Sequence, residues 1–141
     1  MNDQLTWLER TAGTVAGARP DSAISSAALA LLGSQRVAAS PALGVYLSCV
    51  TEHQAACRVG NFEFWSWPRL TSADQSPGEY GGEEHLLIIA DWMLDSEFCA
   101  VDCYTDQMVF LGGAHPVRST LRLGEFLCLV VHEPLIPHGM L

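Results

Sequence analysis

The stretch LLIIADWMLDSEFCAVDCYTDQMVFLGG, Leu86 to Gly113, decides how this chain is read. It is the most apolar part of the sequence, yet it carries Asp91, Asp95, Glu97, Asp102 and Asp106. His85 to Ala90 is a continuous apolar run, the pattern of a central strand covered on both faces. Asp91 to Ser96 reads as a turn. Glu97 to Tyr104 then reads as a second strand, in which Phe98, Ala100 and Asp102 alternate with Cys99, Val101 and Cys103. Thr105-Asp106 is a tight connection, Gln107 to Leu111 a third strand, and Gly112-Gly113 closes it. Short strands in direct succession join most economically as an antiparallel meander.

On the N-terminal side of this stretch, Arg58 to Pro68 places Phe62, Phe64 and Ser66 on one side and Glu63, Trp65 and Trp67 on the other, predicting a strand with one wet face. Thr71 to Glu84 is rich in Ser, Asp, Pro, Gly and Glu and predicts a long loop. Further upstream, Leu5, Leu8, Ala12 and Val15 recur at helical spacing until Gly17 to Pro20 interrupts them. A second helix is expected with Asp21 or Ser22 as its cap, Ile24, Ala27, Ala28, Leu31 and Leu32 as its stripe, and Gly33 just past its end. Ser40-Pro41 has the form of an N-cap followed by proline at the first helical position. A third helix is preferred there, although the β-branched and aromatic content of VYLSCVT at 45–51 keeps a strand open.

On the C-terminal side, Ser119 or Thr120 is the expected cap of a closing helix with Leu123, Phe126, Leu127, Val130 and Val131 on its apolar face, ended by Pro134. The tail LIPHGML has no periodicity and is expected to run along the surface. The 141 residues fit one domain, helical over about 1–57, with the sheet and closing helix over about 58–133 and a short tail.

Charge is distributed unevenly. Residues 1–70 hold five acids and five arginines, whereas residues 71–141 hold eleven acids against Arg118 and Arg122, so the whole net charge of -9 arises in the second half. There is no lysine. Such a field repels nucleic-acid phosphate and anionic lipid and speeds encounter with a basic partner, so direct nucleic-acid binding is not expected. No apolar run approaches the roughly 18–20 residues of a membrane span. MNDQLTWLER lacks a basic segment followed by an apolar one, and five cysteines without a CxxC pair read as reduced thiols. A cytoplasmic protein without membrane insertion is the expectation.

Three constellations bear on chemistry. Cys49, His53 and Cys57 stand at i, i+4 and i+8, which a continuous helix would align as zinc ligand types, but a fourth ligand or water is required; buried cysteines as small apolar fillers are the plainer reading. A Cys-His nucleophile needs a thiolate stabilised by positive charge, and the surroundings are acidic. Asp91, Asp95 and Glu97 form a DxxxDxE set that suits Mg²⁺ or general acid/base work, yet no basic residue lies nearby to complement a phosphate. No metal or cofactor is therefore assigned. Trp65, Trp67 and Trp92 beside carboxylates suit a protein-binding surface, with core filling as the plain alternative for any one of them.

The wording of the stretch also resembles a known family. Ile88-Ile89-Ala90-Asp91, Phe98-Cys99-Ala100-Val101-Asp102, Val109-Phe110-Leu111-Gly112 and Ser119 with Glu125-Phe126-Leu127 resemble the core of the SUKH superfamily, and Phe62-Glu63-Phe64 resembles its preceding strand. That group includes bacterial immunity proteins against polymorphic toxins, the Syd protein and fungal cell-wall regulators. The resemblance spans roughly Val59 to Val131; the N-terminal third offers only Ser40-Pro41 with Tyr46-Leu47 where family members show Leu-Pro, an aromatic and Phe-Leu.

The resemblance implies an α+β fold, a twisted and mainly antiparallel sheet of about four to six strands with helices packed against it. It also implies a non-enzymatic module that binds a protein partner. The expected partner is a basic toxin domain, met by an acidic face containing Asp91, Trp92, Asp95 and Glu97, with Trp65, Trp67 and the loop acids Glu83 and Glu84 beside it. The alternatives are a homo-oligomer of the same fold, a homodimer for example, and a carboxylate- or metal-dependent enzyme.

Overall fold

Leu86–Trp92 is apolar at nearly every position, and its backbone forms the strand β3 at the middle of a six-stranded sheet. The computed structural model describes residues 3–34, 40–52, 55–82, 85–92, 97–112 and 116–136. Around β3 lie β1 (Cys57–Val59), β2 (Phe62–Phe64), β4 (Glu97–Asp102), β5 (Gln107–Leu111) and β6 (Val117–Arg122). Their spatial order is their chain order and every pairing is antiparallel, so the sheet is the expected meander. The fold is α+β and a single domain.

The helices are α1 (Asp3–Ala16), α2 (Ser26–Ser34), α3 (Pro41–Val50), the single turn α4 (Trp67–Leu70) and α5 (Leu123–His132). Among the described residues no helix is long and apolar enough to cross a membrane. The Ser40-Pro41 signal is realised: Ser40 Oγ accepts from the Leu43 N–H and proline takes the first helical position, so residues 45–50 are helix and not strand. Helix α2 begins later than expected. Ser22 instead accepts from the Arg19 N–H within a turn, and Ser25 Oγ takes the Ala28 N–H.

Two further expectations are corrected. Residues 58–68 are not one strand: Gly60, at φ 60°, turns the chain between β1 and β2, and the chain leaves the sheet after Phe64 into α4. A Cβ at Gly60 would lie 2.0 Å from the Pro134 carbonyl oxygen, so the turn tolerates no larger residue. Ser119 and Thr120 do not cap a helix but lie in β6, an edge strand in which Val117 is exposed and Ser119 is buried, so its polarity pattern gives little periodic signal. The first turn of α5 is satisfied from within, the Glu125 carboxylate accepting from the Arg122 N–H at 3.0 Å.

Register sorts the sheet into two faces. Cys57, Phe64, Ala90, Cys99 and Phe110 stand opposite one another across five strands, and this row meets the helices. Phe126 of α5 packs on Phe62, Phe64 and Phe110 with ring centroids 5.8, 6.1 and 6.1 Å away. The adjacent row, Arg58, Glu63, Asp91, Phe98 and Leu111, faces the other way. Residues 65–82, a strap containing α4 and a 3₁₀ turn at Pro77–Tyr80, lie against that second face through Trp65 and Tyr80, which both pack on Phe98.

Candidate functional site

The carboxylates of the opening stretch occupy different environments. Asp91 is fully buried, not exposed on a turn, because β3 continues through it to Trp92 and pairs with both β2 and β4. Its Oδ2 accepts from Arg69 Nη1 at 3.0 Å and from Trp65 Nε1 at 3.1 Å. Arg69 stacks on the Trp65 ring, 4.1 Å from its centroid, and also reaches Asp74 at 3.1 Å and Glu63 at 3.5 Å. Arg58 meets Glu63 from the other side at 2.9 Å. A buried carboxylate unpaired with a cation would be strongly unfavourable; here α4 delivers the guanidinium that neutralises it.

The strap is held on a second point by an amide. Strand β2 pairs with β3 only at residues 90–92, which leaves the preceding edge of β3 to be satisfied otherwise. Gln75 Nε2 donates to the Ile88 and Leu70 carbonyls, and its Oε1 accepts from the Ile88 N–H at 2.6 Å. The Trp65 N–H donates to the Ile89 carbonyl at 2.9 Å. One side chain thereby imitates a neighbouring strand.

Asp102, at the far end of β4, is also buried. Burial opposes its charged form, but the Arg118 guanidinium at 2.8 Å, the Tyr104 N–H, His85 and the Thr105 N–H together hold its carboxyl below the usual range. Asp106 is half-buried at φ 68° in the following turn and accepts from the Ser40 hydroxyl, which ties this turn to the start of α3. Burial pushes its carboxyl up, Arg122 opposes that, and Asp102 adds to it.

These placements revise the expected docking face. Asp91 and Trp65 are buried and are removed from it; their pairing with Arg69 is the physical reason. Trp67 and Trp92 are half-buried against the core, and Glu97 is half-buried at the start of β4. Asp95, Glu83 and Glu84 lie outside the described residues. Sequence reasoning missed Arg69 and Gln75, whose roles depend on contacts made across the sheet; the only available signal was that an acid in an apolar strand calls for a cation.

For thiol chemistry the environment is unfavourable. Burial pushes Cys57 up to about 11 and Cys103 up to about 12, and Cys99 well above its ordinary value, so these sulfurs are protonated at neutral pH. Helix α3 ends at Val50 and Cys57 begins β1, so Cys49 and Cys57 do not share a helix face, and His53 lies outside the described residues. Among the described residues no group of three His, Cys, Asp or Glu side chains is arranged to hold a metal. Compared with known proteins, the chain matches no family model, no curated protein and no solved structure.

Proposed function

We propose that this protein is a non-enzymatic binding module that neutralises or regulates a basic protein partner through its acidic surface, in the manner of the immunity-type members of the SUKH superfamily that its sequence resembles. The observation that carries the proposal is the division of its charges. Among the described residues the two buried acids, Asp91 and Asp102, are neutralised internally by Arg69 and Arg118, so neither adds its charge to the outer field of a chain of net charge -9. A surface of that sign steers association with a basic domain and disfavours nucleic acid and anionic lipid. Protonated thiols and arginine-paired carboxylates also favour binding over catalysis.

The acids assigned to the contact are Asp95 and Glu97, with the half-buried Trp92 and Trp67 as its aromatics. The test is titration of the purified protein against toxin domains encoded beside its gene, at several salt concentrations. An Asp95→Lys/Glu97→Lys variant is expected to bind at least about tenfold more weakly and with a flatter salt dependence. Unchanged affinity and slope in that variant would place the contact elsewhere, and absence of binding by any neighbouring basic domain would overturn the immunity role.

A further inference from the structure

The molecule has a second surface that the proposed acidic face does not explain. A cleft of about 710 Å³ opens between the end of α1 and the length of α5. Its walls are apolar: Val15 from α1, Ala42 from α3, Leu121 from β6, and Cys128 and Leu129 from α5. Cys128 and Leu129 are only half-buried, although α5 belongs to the core through Leu123, Phe126, Leu127 and Val130. Helix α5 thus buries one stripe and presents a second apolar strip to solvent. From Gly124 to His132 that strip runs for roughly 12 Å, about two helical turns.

Charge decides among possible occupants. Asp106 and Glu125 stand at one end of the cleft and Glu133 at the other, with Arg122 opposite Asp106 and the exposed His132 beside Glu133. A second copy of the chain would bring these acids against their own kind in a molecule of net charge -9, which disfavours a symmetric pair. A small apolar ligand is normally enclosed over most of its surface, and this cleft is open along α5. An open apolar strip with acids at both ends matches a helix that inserts apolar side chains at i, i+4 and i+7 and carries cations on its flanks.

We propose that the cleft between α1 and α5 receives an amphipathic helix of a protein partner, with lysine or arginine flanking its apolar stripe. The proposal rests on the binding reading above and assigns it a second contact of defined chemistry.

The test is titration by fluorescence anisotropy of a synthetic helix with leucines at i, i+4, i+7 and i+11 and lysines on its flanks. A matched peptide with serine in place of leucine controls for charge alone. The leucine peptide is expected to bind at least about tenfold more tightly than the serine peptide, and Leu129→Lys to remove about that factor. Ala16→Trp fills the cleft from an exposed position without touching the core and is expected to do the same. Glu79→Lys, on the strap, adds positive charge elsewhere and is expected to leave the leucine-to-serine ratio unchanged. Equal binding of the two peptides, or binding insensitive to both cleft variants, would overturn the proposal. So would a dimer in sedimentation that Ala16→Trp dissolves. A toxin domain that binds wild type and cleft variants alike, but not Asp95→Lys/Glu97→Lys, would remove the cleft contact while leaving the binding function standing.

Discussion

One face of the sheet is closed by aromatic packing and the other by an ion network, and the two respond to different perturbations. On the helix side, Phe62, Phe64 and Phe110 surround Phe126, and stability there comes from apolar area removed from water and from close packing. On the strap side, Trp65, Arg69 and Asp91 form a stacked, hydrogen-bonded unit, and Gln75 satisfies backbone that no strand reaches. Apolar contacts tolerate exchange for similar volumes. A buried carboxylate tolerates only a partner that cancels its charge.

The comparison is broken most severely at its two centres. Phe126→Ala is expected to cost about 3–5 kcal/mol in urea unfolding, through lost transfer energy and the cavity left among three rings. Arg69→Met strands Asp91 and is expected to cost about 2–4 kcal/mol, somewhat less than removal of a fully buried partner because Arg69 retains 27% exposure of its side chain. Adding Asp91→Leu to that variant should restore part of the loss, since it removes the stranded charge while leaving the buried Trp65 Nε1 without its acceptor. No such rescue is available for Phe126→Ala, and a double variant no better than Arg69→Met would show that the stranded charge costs no more than the lost acceptor of Trp65 Nε1.

A smaller effect is expected at the strap's amide. Gln75→Ala leaves the Ile88 N–H and carbonyl without their partner and should cost about 1–3 kcal/mol. Hydrogen exchange should speed at Ile88 while the amides paired between β4 and β5 keep their protection. Uniform loss of protection would mean that strap and sheet open as one unit.

The smallest effect is a pH dependence. Asp102 has a folded-state carboxyl below its unfolded value, so its contribution is complete above the ordinary carboxylate range and is lost as pH falls through the folded value. Asp102→Asn should therefore flatten the acid side of the stability profile. Asp106 acts with the opposite sign: its raised carboxyl favours the folded state while protonated, and that contribution is lost as pH rises through its folded value.

Much of the fold was legible because it rests on local signals. The apolar run at 86–90, the Ser40-Pro41 cap, the turn at 105–106 and the stripe of α5 each carry their instruction within a few neighbours, and each is realised. The β5–β6 hairpin was not legible because β6 exposes Val117 and buries Ser119, so polarity does not follow its two faces. The hairpin at Gly60 was hidden within an alternating run, since one glycine reversed the chain in the middle of a pattern that continues across it. The candidate site was legible as a set of residue types but not as a place.

What the sequence determined by itself is the three-strand meander from β3 to β5, the apolar stripes of the helices around it and the sign of the molecule's net charge, since these follow from periodicity, capping and composition. What only the tertiary structure decided is that Asp91 and Asp102 are buried. Asp91 lies in an apolar segment with four other acids, and nothing local marks it as a buried strand residue. Register placed Asp91 opposite Glu63 and Phe98, and the strap brought Arg69 over it, turning a candidate docking acid into the buried partner of an arginine 22 positions away. Burial and charge pairing are properties of neighbours in space, and a sequence lists neighbours only along the chain.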